Sequence, residues 1–221
     1  MVQFLRRNAA KLFFAISFLV VVALSGKAIL LKRELSDIEL QKQGSEEENK
    51  TILEELNDYK TQFSIEGQKV SFQSLQKTAQ ANAFLQNKSR YVVVILFTHL
   101  DCGTCVNREL HLWQRFYSKM PNREKLEIVA IVQAPNPETT KFLVRGIFQY
   151  PLLFDTNNWG ESLFSKLNVP RGRPMVLLID RENQKILYAH IGVIEKEDHS
   201  ENFIRKVQLF LDMPLIDVNA D

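Results

Sequence analysis

Two near-continuous apolar runs constrain this chain most. Tyr91–Phe97 (YVVVILF) and Leu126–Val132 (LEIVAIV) are rich in β-branched residues and lack polar/apolar alternation. A strand with one wet face alternates, whereas a run of this kind is buried on both faces. Between them, Val106, Leu110, Trp113, Phe116 or Tyr117, and Met120 recur at helical spacing, and Pro121-Asn122 predicts the end of that helix. Strand, helix and strand in this order imply parallel neighbours joined by a crossover.

The rest extends the pattern. FSIEGQKVSFQSL (63–75) reads as two short strands around Gly67, a hairpin, and residues 73–88 as a helix. PNPETTKFLVRGIF (135–148) opens with turn residues and becomes helical; YPLLFD is a short extended segment, and Glu161–Leu167 a further helix. Pro174–Asp180 and Lys185–Val193 flank RENQ as an antiparallel hairpin. A last helix carries Phe203, Val207 and Phe210 on one face, with Asp198 at its cap and Glu201 three residues later. The fold class is therefore α/β: a central mixed sheet with helices on both faces and a C-terminal antiparallel hairpin, spanning 62–221.

The N-terminal third differs. Arg6, Arg7 and Lys11 precede an apolar run, Leu12–Ser25, and after Lys27 the residues Ala28–Leu31 are apolar again. Leu12–Leu31 has about the 20 residues a helix needs to cross a bilayer. Residues 1–31 are therefore read as a signal-anchor transmembrane segment. A cleaved signal, with Ala23 and Ser25 as a small-x-small site, is the alternative. Either reading puts the remainder outside the cytoplasm, in a periplasmic-type compartment or, after cleavage, secreted. Residues 32–61 are polar and rich in Glu, Lys and Gln. Their heptad frame is apolar only at its ends, which describes a solvated helical stalk with a weak capacity for dimerisation. The net charge of +2 gives no argument for nucleic acid.

The chain has two cysteines, Cys102 and Cys105. Two cannot build a disulfide framework or a four-cysteine zinc site. Three readings stay open on the residues alone. The pair is a redox centre, a pair of buried apolar side chains, or, with His99 or His111, a clip for copper or zinc. Placement at a strand-to-helix junction favours chemistry. A sulfur at a helix N-terminus meets free N–H groups and the positive end of the dipole, which favour thiolate. Cys105 follows one turn later.

The segment Phe63–Leu211 resembles the thioredoxin-like fold, and within it the membrane-anchored TlpA/ResA-type thiol-disulfide oxidoreductases. The likeness is carried by FSIEGQKVSFQSL, by CGTC directly after the first core strand, by YPLLFD, and by GRPMVLLIDRENQKILYAHIG. It implies a redox-active Cys102–Cys105 disulfide without other cofactor or metal. It also implies exchange with protein disulfides, usually as a reductase supplied with electrons by a membrane partner. Pro174 would be the cis-proline facing the cysteines, and Arg173–Pro174 the strand-like dock for substrate. A thiol peroxidase is disfavoured because ILFTHLDC lacks the proline that such a site needs; a metal carrier or non-catalytic binding module is the other alternative.

Three positions depart from the family pattern. Asp101 replaces the usual Trp before the first cysteine, and its carboxylate opposes a Cys102 thiolate. Asp101 and His99 are thus candidates for tuning Cys102. Arg173 precedes Pro174, where its guanidinium is expected to approach Cys102 or to compensate Asp101. The family often carries Glu three residues after the second cysteine. Here that position is Arg108, so Glu109 is read as a solvated helix charge and His190 as a surface or edge residue.

Overall fold

A computed structural model describes residues 2–121, 124–136, 140, 144, 146, 148–156, 158–192 and 197–218; for residues 2–26, 28–31, 34, 159 and 197 it describes the backbone alone. The chain divides into two compact units, Met1–Asn57 and Asp58–Asp221. The first is formed by helix α1 (Val2–Ile65), whose last turns, from Asp58, belong to the second. In the first unit Leu35, Ile38, Ile52, Leu53 and Leu56 are exposed. Among the described residues no helix is long and apolar enough to cross a membrane. The side chains of the expected anchor, Lys27 excepted, lie outside the described ones.

The second unit is built on a five-stranded sheet. Its strands are β1 (Tyr91–Thr98), β2 (Leu126–Gln133), β3 (Leu152–Phe154), β4 (Met175–Asp180) and β5 (Lys185–Ile191), in the order β3-β2-β1-β4-β5. The first three are parallel: Val93 lies opposite Ile128, and Ile131 opposite Leu153. β4 runs antiparallel to β1, with Ile95 opposite Val176, and β5 runs antiparallel to β4. This order, with its directions, is the thioredoxin-like arrangement.

Successive side chains of a strand point to opposite faces, so the unbroken apolar runs feed two cores. Val93, Ile95 and Phe97 pack with Trp113 and Phe116 of α3 (Gly103–Lys119) and with Phe203 and Val207 of the C-terminal helix (Glu197–Phe210). Val92, Val94 and Leu96 face Ile65 of α1, Phe84 of α2 (Ala79–Gln86) and Phe164 of α4 (Leu163–Lys166). Glu127, the one charge inside the second run, is paired with Arg181. The C-terminal helix is α5. Phe210 is part-exposed at the end of α5 and packs edge-on against Tyr91 and Tyr188.

Several expectations change. Residues 63–75 form no hairpin: Phe63–Ile65 finish α1, and Gly67, at φ 86°, turns the chain onto the outer edge of β5. The N–H groups of Gly67 and Val70 donate to Ile186 O and Gln184 O, and Ile186 N–H donates to Gln68 O. An open strand edge offers unpaired backbone groups, and the segment satisfies them instead of pairing with itself. The helix expected at 73–88 shrinks to Ala79–Gln86 because Thr78 caps it, accepting from Ala81 N–H at 3.0 Å. The helix at 161–167 is a 3₁₀ turn, Trp159–Glu161, followed by α4. Asp198 lies inside α5, not at its cap. Most of the expected helix in 135–148, and Val193, lie outside the described residues.

Helix α3 carries the cysteines and is held by Trp113, which is fully buried. Trp113→Ala is expected to lower stability by about 3–5 kcal/mol, the usual range for truncating a buried aromatic. Urea unfolding followed by far-UV circular dichroism measures it, and a loss under 1 kcal/mol would contradict the packing.

Candidate active site

β1 delivers the cysteines. Beyond Thr98 the chain turns back, and the Asp101 carboxylate closes the turn. It accepts the Thr98 N–H at 2.7 Å and the Thr98 hydroxyl at 2.9 Å. A third donor comes from a distant loop: Gly172 N–H reaches the same carboxylate at 2.8 Å. Cys102 N–H in turn donates to Gly172 O at 3.0 Å. Gly172 sits at φ 94°, where a side chain is strained, and this lets the loop present both backbone groups.

Cys102 is the N-cap of α3, and its Sγ accepts the Cys105 N–H at 3.3 Å. Cys102 is half-buried and Cys105 buried; both are free thiols. Their proton affinities are pulled apart. Burial pushes the Cys102 thiol up, but the Cys105 thiol and the N–H groups of Cys105 and Thr104 outweigh it. The net position is below the ordinary thiol range, even though the Asp101 carboxylate pushes upward. Burial, then the hydrogen bond and charge of Cys102, push the Cys105 thiol up to about 12. Asp101 itself is raised by burial, against the hydrogen bonds from Thr98 and Gly172 and the charge of His99. His99 therefore acts on Asp101. Its Nδ1 lies 3.3 Å from Gln133 O.

Arg173 and Pro174 fall beside this site, with two corrections. Among the described residues there is no cis peptide bond, so Pro174 is trans. Nor does Arg173 compensate Asp101. Its guanidinium forks onto Asp58 near the end of α1, with Nη1 2.6 Å from Oδ2 and Nη2 2.5 Å from Oδ1. Asp101 accepts from Thr98 and Gly172, whereas the Asp58 carboxylate is placed to fit the fork. The Arg173 charge is felt at Cys105, where it lowers the thiol.

Glu109, read as a solvated charge, is buried, and His190, read as a surface or edge residue, lies in the edge strand β5 but is buried as well. Glu109 is 2% exposed and His190 6%. The Ser200 hydroxyl donates to Glu109 Oε1, and His190 Nε2 lies 3.0 Å from the same hydroxyl. Glu109 Oε2 has no hydrogen-bond partner among the described residues. The sequence held a usable signal: Glu109 is four residues from both Cys105 and Trp113, on the apolar face of the helix. Ser200 offered none. His111 tilts against the Phe148 ring, centroids 5.3 Å apart. Among the described residues no group of three or more His, Cys, Asp or Glu side chains is gathered to hold a metal ion. A cleft of about 440 Å³ opens next to the Cys102 turn, between His99–Leu100 and Gln133–Pro135.

No family model matches the chain. No curated protein matches it. Among solved structures, it is similar to an uncharacterised thioredoxin-like protein from Porphyromonas gingivalis, at 27% identity over 65% of this chain and 92% of that one, with a TM-score of 0.48. A thiol-disulfide isomerase from Corynebacterium glutamicum is 20% identical over 67% of this chain and 94% of its own, with a TM-score of 0.45. StoA from Bacillus subtilis is 19% identical over 56% and 86%, with a TM-score of 0.41. All three scores are below 0.5, and the fold assignment rests on the strand order and directions instead.

Asp101→Asn tests the carboxylate tie. The amide presents a donor to a site built from donors, so stability should fall by about 1–3 kcal/mol. Loss of the charge should also move Cys102 alkylation to lower pH, because Asp101 raises that thiol. Urea unfolding and pH-dependent iodoacetamide labelling read the two effects; neither changing would contradict the tie.

Proposed function

We propose that this chain is a thioredoxin-like thiol-disulfide oxidoreductase that exchanges disulfides with protein partners through Cys102 and Cys105. The observation that carries the reading is the asymmetry of the pair. Cys102, at the α3 cap, is the stronger acid, and Cys105, buried one turn later, is pushed up to about 12. Exchange needs that division: a nucleophile ionised first, and a second thiol held back until a mixed disulfide exists.

In the reductive direction, the Cys102 thiolate attacks a partner disulfide, forming a mixed disulfide and releasing one partner sulfur as thiolate. Cys105 then gives up its proton and attacks Cys102. The Cys102–partner bond breaks, and the second partner sulfur leaves with the electron pair. Two electrons pass from the dithiol to the partner, and the Cys102–Cys105 disulfide remains. Buried Cys105 needs a proton acceptor, and Glu109, one helical turn away and with one oxygen that has no partner among the described residues, is suited to it. Arg173 and Pro174 border the face where partner backbone would dock; Pro174 is trans and Arg173 is held by Asp58, so the docking reading rests on the resemblance alone. The reductive direction and a membrane partner that supplies electrons follow the same resemblance.

The N-terminal third completes the proposal. An apolar run of about 20 residues flanked by Arg6, Arg7, Lys11, Lys32 and Arg33 supports a membrane anchor carrying an extracytoplasmic domain. Full-length protein should sediment with membranes and resist high-salt extraction. A mature chain beginning near Gly26 in the soluble fraction would show cleavage instead.

Cys102→Ser should abolish dithiol-dependent reduction of a protein disulfide, and Cys105→Ser should accumulate mixed disulfides through Cys102. Non-reducing electrophoresis and mass mapping report both. Activity retained in Cys102→Ser would overturn the assignment.

A further inference from the structure

A buried polar cluster lies behind Pro174. Glu109 comes from α3, His190 from β5 and Ser200 from α5, and all three are buried. Gly192 makes room for it. A Cβ there would meet Glu109 Cγ at 2.8 Å, Glu109 Oε1 at 3.0 Å and Pro174 Cγ at 3.0 Å. The Glu109 carboxylate is thus packed against the segment that closes the cysteine site. The His190 ring is fixed by stacking on Phe203, centroids 5.3 Å apart, and its Nε2 is 3.8 Å from Glu109 Oε1.

The hydrogen bonds have a direction. The Ser200 hydrogen is committed to Glu109, so the bond between Ser200 Oγ and His190 Nε2 takes its hydrogen from the imidazole. One hydroxyl therefore links the carboxylate to a ring that carries a positive charge once protonated. A proton on that ring places a cation 3.8 Å from Oε1, shielded from water. That charge favours the ionised carboxylate and makes it a weaker proton acceptor. Among the described residues Tyr150, from the segment before β3, also feels the Glu109 charge, and Cys105 lies one turn before Glu109 on the same helix. The Tyr150 hydroxyl donates to Leu110 O at 2.6 Å and is driven far above its ordinary range by burial and by Glu109, so it stays neutral.

We propose that His190, acting through Ser200, is a positioning residue that sets how readily Glu109 takes the Cys105 proton, so that the second exchange step slows as the imidazole becomes charged. This rests on the exchange reading above. In that step the Cys105 proton passes to the Glu109 carboxylate and the Cys105 sulfur bonds to Cys102. The partner thiolate leaves with the electron pair of the broken bond, and Glu109 returns its proton to that thiolate or to solvent.

The test follows one turnover of the reduced full chain with an equimolar aromatic disulfide, 5,5′-dithiobis(2-nitrobenzoate), from pH 5 to 8.5. The first thiol released reports attack by Cys102, and the second reports resolution by Cys105. In the wild type the second phase should rise with pH through an inflection. His190→Gln keeps a donor to Ser200 but no titratable ring. It should lose that inflection and speed the second phase at pH 5.5 by about tenfold, equivalent to ~1.4 kcal/mol of coupling, with the first phase unchanged. His190→Asn, which likewise lacks a titratable ring, should also lose the inflection and provides the test if His190→Gln does not fold. A wild-type inflection retained in either folded variant, or a wild-type profile without one, overturns the proposal. Absence of any second release from wild type would instead overturn the exchange reading itself.

Discussion

The Asp101 carboxylate is the tie on which the site depends. It binds the end of the central strand through Thr98 and a loop 71 residues later through Gly172, and Cys102 closes the circuit by donating to Gly172 O. A buried carboxylate with three donors is stable only if all three stay in place, because an orphaned donor in such a site costs about 1–3 kcal/mol. The turn before α3 is thereby tied to both β1 and the Gly172 loop, and the Cys102 sulfur is held where the first N–H groups of the helix reach it. The same charge raises the Cys102 thiol. Local order at the cysteine is therefore obtained against the electrostatics of the thiolate, and the N–H groups of Cys105 and Thr104 prevail.

Depth along α3 then sorts the chemistry. Cys102 caps the helix and is half-buried; Cys105 is buried one turn in; Glu109 is buried a turn further, among Trp113, Tyr150 and the sheet. Desolvation dominates Cys105, and the polar atoms behind it must find partners inside the protein. Ser200 supplies one for a Glu109 oxygen and is itself bonded to His190, and Gly192 supplies the space by having no side chain. The proposed division of labour between the two thiols follows from this gradient.

Much of this was legible in the sequence. The unbroken runs at 91–97 and 126–132 stated that two strands lie inside, and both do. CGTC after the first run placed Cys102 at a helix start, and Pro121 marked where that helix stops. These features depend on neighbours within a few residues, or on burial of a whole run. Segment 63–75 was misread because its hydrogen-bond partners are in β5, more than 110 residues away, and local pattern cannot show an open edge waiting to be covered. Glu109 was misread because one charge on a helix is usually solvated; its position on the apolar face was the signal to weigh.

By itself the sequence determined the two cores, the mixed sheet and the place of the cysteines, because hydrophobic periodicity and helix-end chemistry act locally. Only the tertiary structure decided the partners of the charges. Arg173 turned to Asp58, Asp101 to Gly172, and Glu109 to Ser200 beside His190. A charged side chain pairs with whichever complementary group the packed backbone brings within about 3 Å. That choice is made between residues up to 115 positions apart, after the hydrophobic faces have fixed which segments meet.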